Sequence, residues 1–213
     1  MYFYTDWYIF VSMNIPLKKS ERTRQFIIEK SAHVFNKQGY VATSLTDLTE
    51  ATGLSKGSIY GNFKNKEEVA AAAFDYNFSL IVGAIRDRIS KQTNSIDKLL
   101  EHIRAYRESS NAIYEHGGCA ILNTAIDADF VNPMLKKRVT EVVRQWLDAI
   151  HNIVVQGIER GEIRGDVDPA RFAAFFVGLT EGGVFLFKAT SESHFIFKAL
   201  DHLEDAVRNL RPE

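Results

Sequence analysis

One cysteine in 213 residues leaves no partner for an intrachain disulfide and no basis for a cysteine-built zinc cluster, which points to a reducing compartment, taken here as the cytoplasm. The six histidines (33, 102, 116, 151, 194 and 202) show no metal-ligand spacing. No phosphate-binding glycine loop, HExxH pair or nucleophile elbow occurs, so neither an enzyme nor a cofactor or metal is expected. Only four prolines interrupt the chain, which permits long helices. The segment that invites a membrane reading, MYFYTDWYIFV at the start, falls well short of the roughly 18 apolar residues of a spanning helix. It carries Asp6 and no preceding basic residue, so it does not read as a secretory signal, and no stable membrane association is expected. Residues 1–13 are read as an N-terminal extension, with a short amphipathic surface anchor as the alternative for 1–12.

What the chain does have is ordinary in bulk: 46% hydrophobic and 25% charged residues suit a soluble globular protein. Its formal charge of -1 conceals an asymmetry. Residues 14–66 hold nine Lys/Arg against four Asp/Glu, whereas 67–213 hold seventeen against twenty-two. A basic module joined to an acidic remainder suits a nucleic-acid-facing unit attached to a partner or ligand unit.

Apolar residues recur at helical spacing almost throughout, and no alternating run argues for a sheet. The spacing predicts a helix over 20–38 with Ile27, Ser31, Val34 and Phe35 on one stripe, ended by Gly39. Thr43 or Ser44 caps a short helix over 45–52, with Asp47 in a capping-box position. Gly53 breaks it, Ser55 caps a second short helix over 56–63, and Asn65 caps a long one beginning at Lys66. Further helices follow over 94–116, 119–128, 133–160, 169–188 and 195–210, for an all-α fold of about nine helices.

Two short helices joined by a glycine-containing turn and braced by a preceding helix form a helix-turn-helix. Leu45, Leu48, Ala51, Leu54, Ile59 and Phe63 supply its inside. Lys56, Gly57, Ser58, Tyr60, Gly61 and Asn62 are left to face outward, where lysine reaches guanine acceptors and the others bond phosphates or base edges. The run IIEKSAHVFNKQGYVATSLTDLTEATGLSKGSIYGNFKNKEEV, residues 27–69, resembles the DNA-binding domain of the TetR/AcrR family of bacterial transcription regulators. Gly39-Tyr40, Thr43-Ser44, Gly53, Ser55, Gly57, Tyr60, Phe63, Lys64 and Lys66 carry the resemblance.

That resemblance implies a helix-turn-helix domain over 14–65 and a ligand-binding and dimerisation domain over 66–213. It implies groove-facing positions at Lys56, Gly57, Ser58 and Gly61, and phosphate contacts at Thr43, Ser44, Tyr60, Asn62 and Lys66; Ser55 and Lys64 complete the DNA-facing set. Gly61 departs from the bulky residue common in the family. The implied partners are double-stranded DNA, a small organic effector and a second copy of the chain, in a repressor released from a quasi-palindromic operator when the helix beginning at Lys66 is displaced. Tyr106, Cys119, Asn123 and Trp146 are the candidate effector residues, Cys119 being read as structural rather than redox-active. The dimer face is assigned to Phe175, Leu179, Gly182, Phe185, Leu186, Leu200, Leu203 and Val207. The alternative is a helical protein-interaction module that has lost DNA binding.

Overall fold

Capping side chains open most of the helices in this chain, and the computed structural model, which describes residues 18–128 and 131–212, shows where each begins. The 1–13 extension lies outside the described residues. Among them nine helices run in order: α1 Lys19–Ala42, α2 Leu45–Thr52, α3 Lys56–Tyr60, α4 Lys66–Ile89, α5 Ser95–Glu115, α6 Ala120–Ala128, α7 Pro133–Glu159, α8 Pro169–Thr190 and α9 His194–Arg208. Ser44, Ser55, Asn65, Asn94, Asn132 and Asp168 each accept an amide from the first turn that follows, satisfying donors that a helix start leaves unpaired. At α2 the box is reciprocal: Ser44 N–H donates to Asp47 at 2.6 Å, and Asp47 N–H donates back to Ser44 Oγ at 3.2 Å. The Ser44 N–H and the Ser44 hydroxyl, which also donates to it at 2.7 Å, hold the Asp47 carboxyl below its usual range.

Two expected boundaries shift. Gly39 does take a positive φ of 83°, but the helix resumes for one more turn instead of ending. The Asp127 carboxylate, arriving from α6, accepts the amides of Tyr40 and Val41 and so caps that turn from outside. The second short helix stops at Tyr60 rather than 63: the Asn62 backbone N–H shifts to the Ile59 carbonyl three residues back, while the Asn62 side chain takes the Ser58 carbonyl.

A single apolar core joins the two parts of the chain. In the N-terminal part Ile27, Leu48, Ile59 and Phe63 are buried, with Leu45 and Leu54 packed against them. Val69, Ala70 and Phe74 on α4 extend this core into the larger helical bundle, where Leu99, Ile103, Leu135, Ile150, Phe176, Leu200 and Leu203 lie. Among the described residues two helices, α4 and α8, are long and apolar enough to cross a membrane by length and composition. Each is amply used otherwise: one face is buried in this core, while the other lines a cavity in α4 and forms an outer stripe in α8.

Candidate nucleic-acid interface and effector cavity

The start of α3 is open to solvent. Ser55, Lys56 and Gly57 are exposed, Ser58 and Tyr60 are half-buried, and Ile59 points inward with no exposure. A Cβ added at Gly57 would meet only Ser55 Oγ, at 3.9 Å, so this stretch presents backbone and small polar groups to whatever approaches. Ser44, Gly61 and Lys64 are exposed around it. Asn62 is half-buried, its amide donating to the Ser58 carbonyl at 2.9 Å.

Two of the expected phosphate-contact residues are committed inside the module. Thr43 is buried, with its hydroxyl donating to the Gly39 carbonyl at 2.6 Å. The Lys66 ammonium donates to the Tyr40 and Thr43 carbonyls at 2.7 Å each and lies 4.4 Å from the Tyr40 ring centre. Both tie the end of α1 to the start of α4. Their short-range chemistry was legible, but these partners lie 23 and 26 residues from Lys66, beyond what local spacing reveals.

Arg24 was not singled out by sequence reasoning. Its guanidinium donates to Glu68 at 2.9 Å and to the Asn62 carbonyl, and stacks 3.9 Å from the Phe63 ring centre. It therefore grips the link between α3 and α4. Glu68 also accepts the Lys64 amide at 2.8 Å, and these donors keep its carboxyl below the usual range.

Behind that grip a cavity of about 1100 Å³ lies between α4 and α7 and reaches α5. Tyr106, Cys119 and Trp146 line it. Trp146 Nε1 donates to His102 Nε2 at 3.0 Å, within stacked rings. His102 is thus an acceptor on that nitrogen, and its full burial lowers its pKa to about 4. Behind this wall Cys119 and Tyr106 donate to Glu181 Oε1 at 3.2 and 3.4 Å. Burial raises all three pKa values, so the Cys119 thiol stays protonated and is a poor nucleophile.

Asn123 lies elsewhere. Its amide bonds the Asn36 side chain at 3.0 Å and the Gly117 carbonyl at 2.8 Å, making a polar seam between α1 and the α5–α6 link. It is a packing residue of that seam and does not line the large cavity.

The residues expected at the dimer face also divide. Phe175, Phe185 and Leu186 on α8 are 43%, 52% and 41% exposed, and a Cβ added at Gly182 would have nothing within 4 Å. They form an outward apolar stripe, with Leu179 partly buried beside it. Leu200, Leu203 and Val207 belong instead to the chain's own core, at 1% exposure or less. Their 3-4 spacing reports the seam of α9 against α8 and α5 within one chain, which periodicity cannot tell from a seam between chains.

Comparison with known proteins agrees with this division of labour. Residues 27–73 match the family described as bacterial regulatory proteins, tetR family, and residues 95–203 match the tetracyclin repressor-like C-terminal domain. A TetR-family transcriptional regulator of Cytophaga hutchinsonii is 39% identical, covering 93% of this chain and 100% of its own, with a TM-score of 0.86. One from Chloroflexus aurantiacus is 35% identical over 90% and 97% of the two chains, with a TM-score of 0.85. The HTH-type transcriptional repressor DhaR of a Mycobacterium species is 26% identical over 168 residues, 78% of this chain and 82% of that one.

Proposed function

The chain belongs to the TetR family of bacterial regulators, and from that premise we propose that it is a cytoplasmic repressor read through Lys56, Gly57 and Ser58 and released by a ligand in the α4–α7 cavity. Family members are ligand-responsive, homodimeric DNA-binding regulators rather than enzymes, and this chain has the corresponding parts. The observation that carries the reading is the open start of α3, exposed at Lys56 and Gly57 while Ile59 anchors it from behind. A recognition helix meets base edges at its N-terminal residues, and a two-fold pair of them reads two half-sites about 34 Å apart.

The stripe of Phe175, Gly182, Phe185 and Leu186 is the contact that pairs two copies. The remaining DNA-facing assignments follow from exposure: Ser44, Ser55 and Lys64 stand where phosphates pass, with Tyr60 and Gly61 beside them. Thr43 and Lys66 act by holding the module's shape, although Lys66 keeps one N–H for a phosphate.

The test is a titration against duplex DNA from upstream of the protein's own gene, at two salt concentrations, with wild type and Lys56→Ala. Binding that weakens steeply with salt, with the slope reduced by about one in the variant if Lys56 meets a phosphate, supports the reading. A variant that relaxes sequence preference instead assigns Lys56 to a base. Absence of duplex binding even at low salt would turn the assignment toward a helical interaction module.

A further inference from the structure

The charges on the wall of the α4–α7 cavity are already matched to one another. Arg24 donates to Glu68 at 2.9 Å, Arg138 pairs with Asp75, and Lys137 stands 3.9 Å from Glu141. Arg86, the remaining charged residue of the lining, is engaged within the chain as well. A charged ligand entering this space sheds water and meets no unmatched opposite charge in return, so either sign is penalised.

The uncharged polar groups of the lining are spent in the same way. Trp146 Nε1 donates to His102 Nε2 at 3.0 Å, the Tyr106 hydroxyl and the Cys119 thiol both donate to Glu181, and the Ser79 hydroxyl donates to the Tyr76 carbonyl at 2.7 Å. Burial keeps His102 neutral, and its Nδ1 is sealed from solvent and offers the cavity nothing. What this wall leaves open is ring carbon. The planes of His102, Tyr106 and Trp146 lie within 5–14° of one another, with centres 5.7–6.5 Å apart. Phe176, fully buried, meets His102 at 89° and fixes the set from the core side. Phe78, Ile81 and Ile85 supply the apolar lining from α4. A volume of about 1100 Å³ admits more than a single ring, since ordinary ligand pockets measure roughly 300–1,000 Å³.

We infer that the cavity takes an uncharged, planar multi-ring molecule that lies against the parallel rings of His102, Tyr106 and Trp146. This deepens the regulator reading above, on which it rests, by naming the class of ligand. Charge is refused because each ion pair on the wall is closed, and rings are favoured over chains because offset stacking adds to the area they bury. The first of these causes can be reversed on purpose: opening one ion pair should make the cavity accept the ion that the lost partner resembled.

The experiment follows pyrene fluorescence anisotropy as the full chain is titrated into 1-pyrenemethanol, 1-pyrenecarboxylate and 1-pyrenemethylammonium, which share a skeleton and differ in charge. Heptadecan-1-ol, matched in carbon count but without rings, is read by displacement of bound 1-pyrenemethanol. Wild type should bind the alcohol about tenfold more tightly than either ion, and about fivefold more tightly than heptadecanol. Ala149→Phe, which fills space beside Trp146, should weaken pyrenemethanol about tenfold and so place it in the cavity. Trp146→Leu should bind pyrenemethanol and heptadecanol alike while still refusing the ions. Glu68→Gln, which leaves Arg24 without its carboxylate, should raise the affinity for pyrenecarboxylate about tenfold. Circular dichroism checks that the three variants fold. A wild-type preference for either ion, equal binding of all three pyrenes, displacement by heptadecanol as strong as by pyrenemethanol, binding indifferent to Ala149→Phe, or no gain for the carboxylate in Glu68→Gln each overturns the inference. Any of these beside intact binding to duplex DNA leaves the regulator reading standing, whereas failure to bind duplex DNA removes that reading and not the ligand class.

Discussion

The DNA-reading part and the sensing part of this chain are stabilised in different ways. From α1 to the start of α4, a small core around Ile27, Leu48, Ile59 and Phe63 is supplemented by named polar bonds: the Ser44, Ser55 and Asn65 caps, Thr43 on Gly39, Lys66 on two carbonyls, and Arg24 on Asn62. Beyond Val69 the core is larger and mostly aliphatic and aromatic, yet it leaves about 1100 Å³ unfilled between α4 and α7. A surface that must fit a rigid duplex is specified bond by bond. A surface that must respond to a ligand keeps unpacked space, and its walls gain contacts only when something enters.

The comparison can be broken most sharply at α8, where adjacent glycines face opposite ways. Gly182→Arg places a charge on the outward stripe without touching the chain's own core, so the variant should fold normally and sediment as a monomer. Operator affinity should then fall about a thousandfold, as two linked half-site contacts become independent. A folded variant that stays dimeric would move the subunit contact away from this stripe.

A smaller effect tests the aromatic wall. His102 keeps its imidazole neutral, with a folded pKa of about 4 against 6.5 when exposed. The unfolded chain therefore binds the extra proton between those values, and stability falls as pH drops from about 6.5 to 4. This group accounts for about 3 kcal/mol of that loss. Urea unfolding at several pH values should show it, and His102→Gln, which still accepts from Trp146 but does not titrate, should remove that share of the slope.

Next comes Gly183, the inward neighbour of Gly182. A methyl there would stand 2.9 Å from Ala199 Cβ and 3.2 Å from the Ile196 backbone, so Gly183→Ala should destabilise the fold by about 2 kcal/mol, read as a lower urea midpoint. Smallest is Asn65→Ala, which removes the acceptor for the Glu68 amide at 2.9 Å and should cost about 1 kcal/mol. If this cap and that of Ser44 proved silent, the claim that local polar bonds specify the reading module would fail.

The same contrast explains what was legible in the sequence. Ser44, Ser55, Asn65 and Asn132 announce helix starts because each cap acts across three residues, within reach of a motif. The helix-turn-helix was legible for that reason, along with the all-α class and most helix boundaries. Arg24 with Glu68, Asp127 with Tyr40, and Asn123 with Asn36 join residues 44, 87 and 87 positions apart, and nothing local marks them. The cavity was legible only as a few aromatic candidates, since empty space leaves no pattern of its own. Leu200, Leu203 and Val207 were legible as a seam but not as a seam within one chain.

The kink at Gly39 turns α1 into a beam with a support near each end. One bearing is Arg24 on Glu68; the other is the turn at Tyr40 and Val41 resting on Asp127, and about 24 Å of helix separates them. A beam held at both ends does not slide when one bearing yields; it pivots about the other. A yield of about 2 Å at the Arg24 end corresponds to a tilt of about 5° over that span. Because a two-fold axis turns the tilt of one subunit into an opposed tilt of the other, the mismatch at the half-sites is doubled, and neither recognition helix has to unfold for the pair to lose its register on DNA.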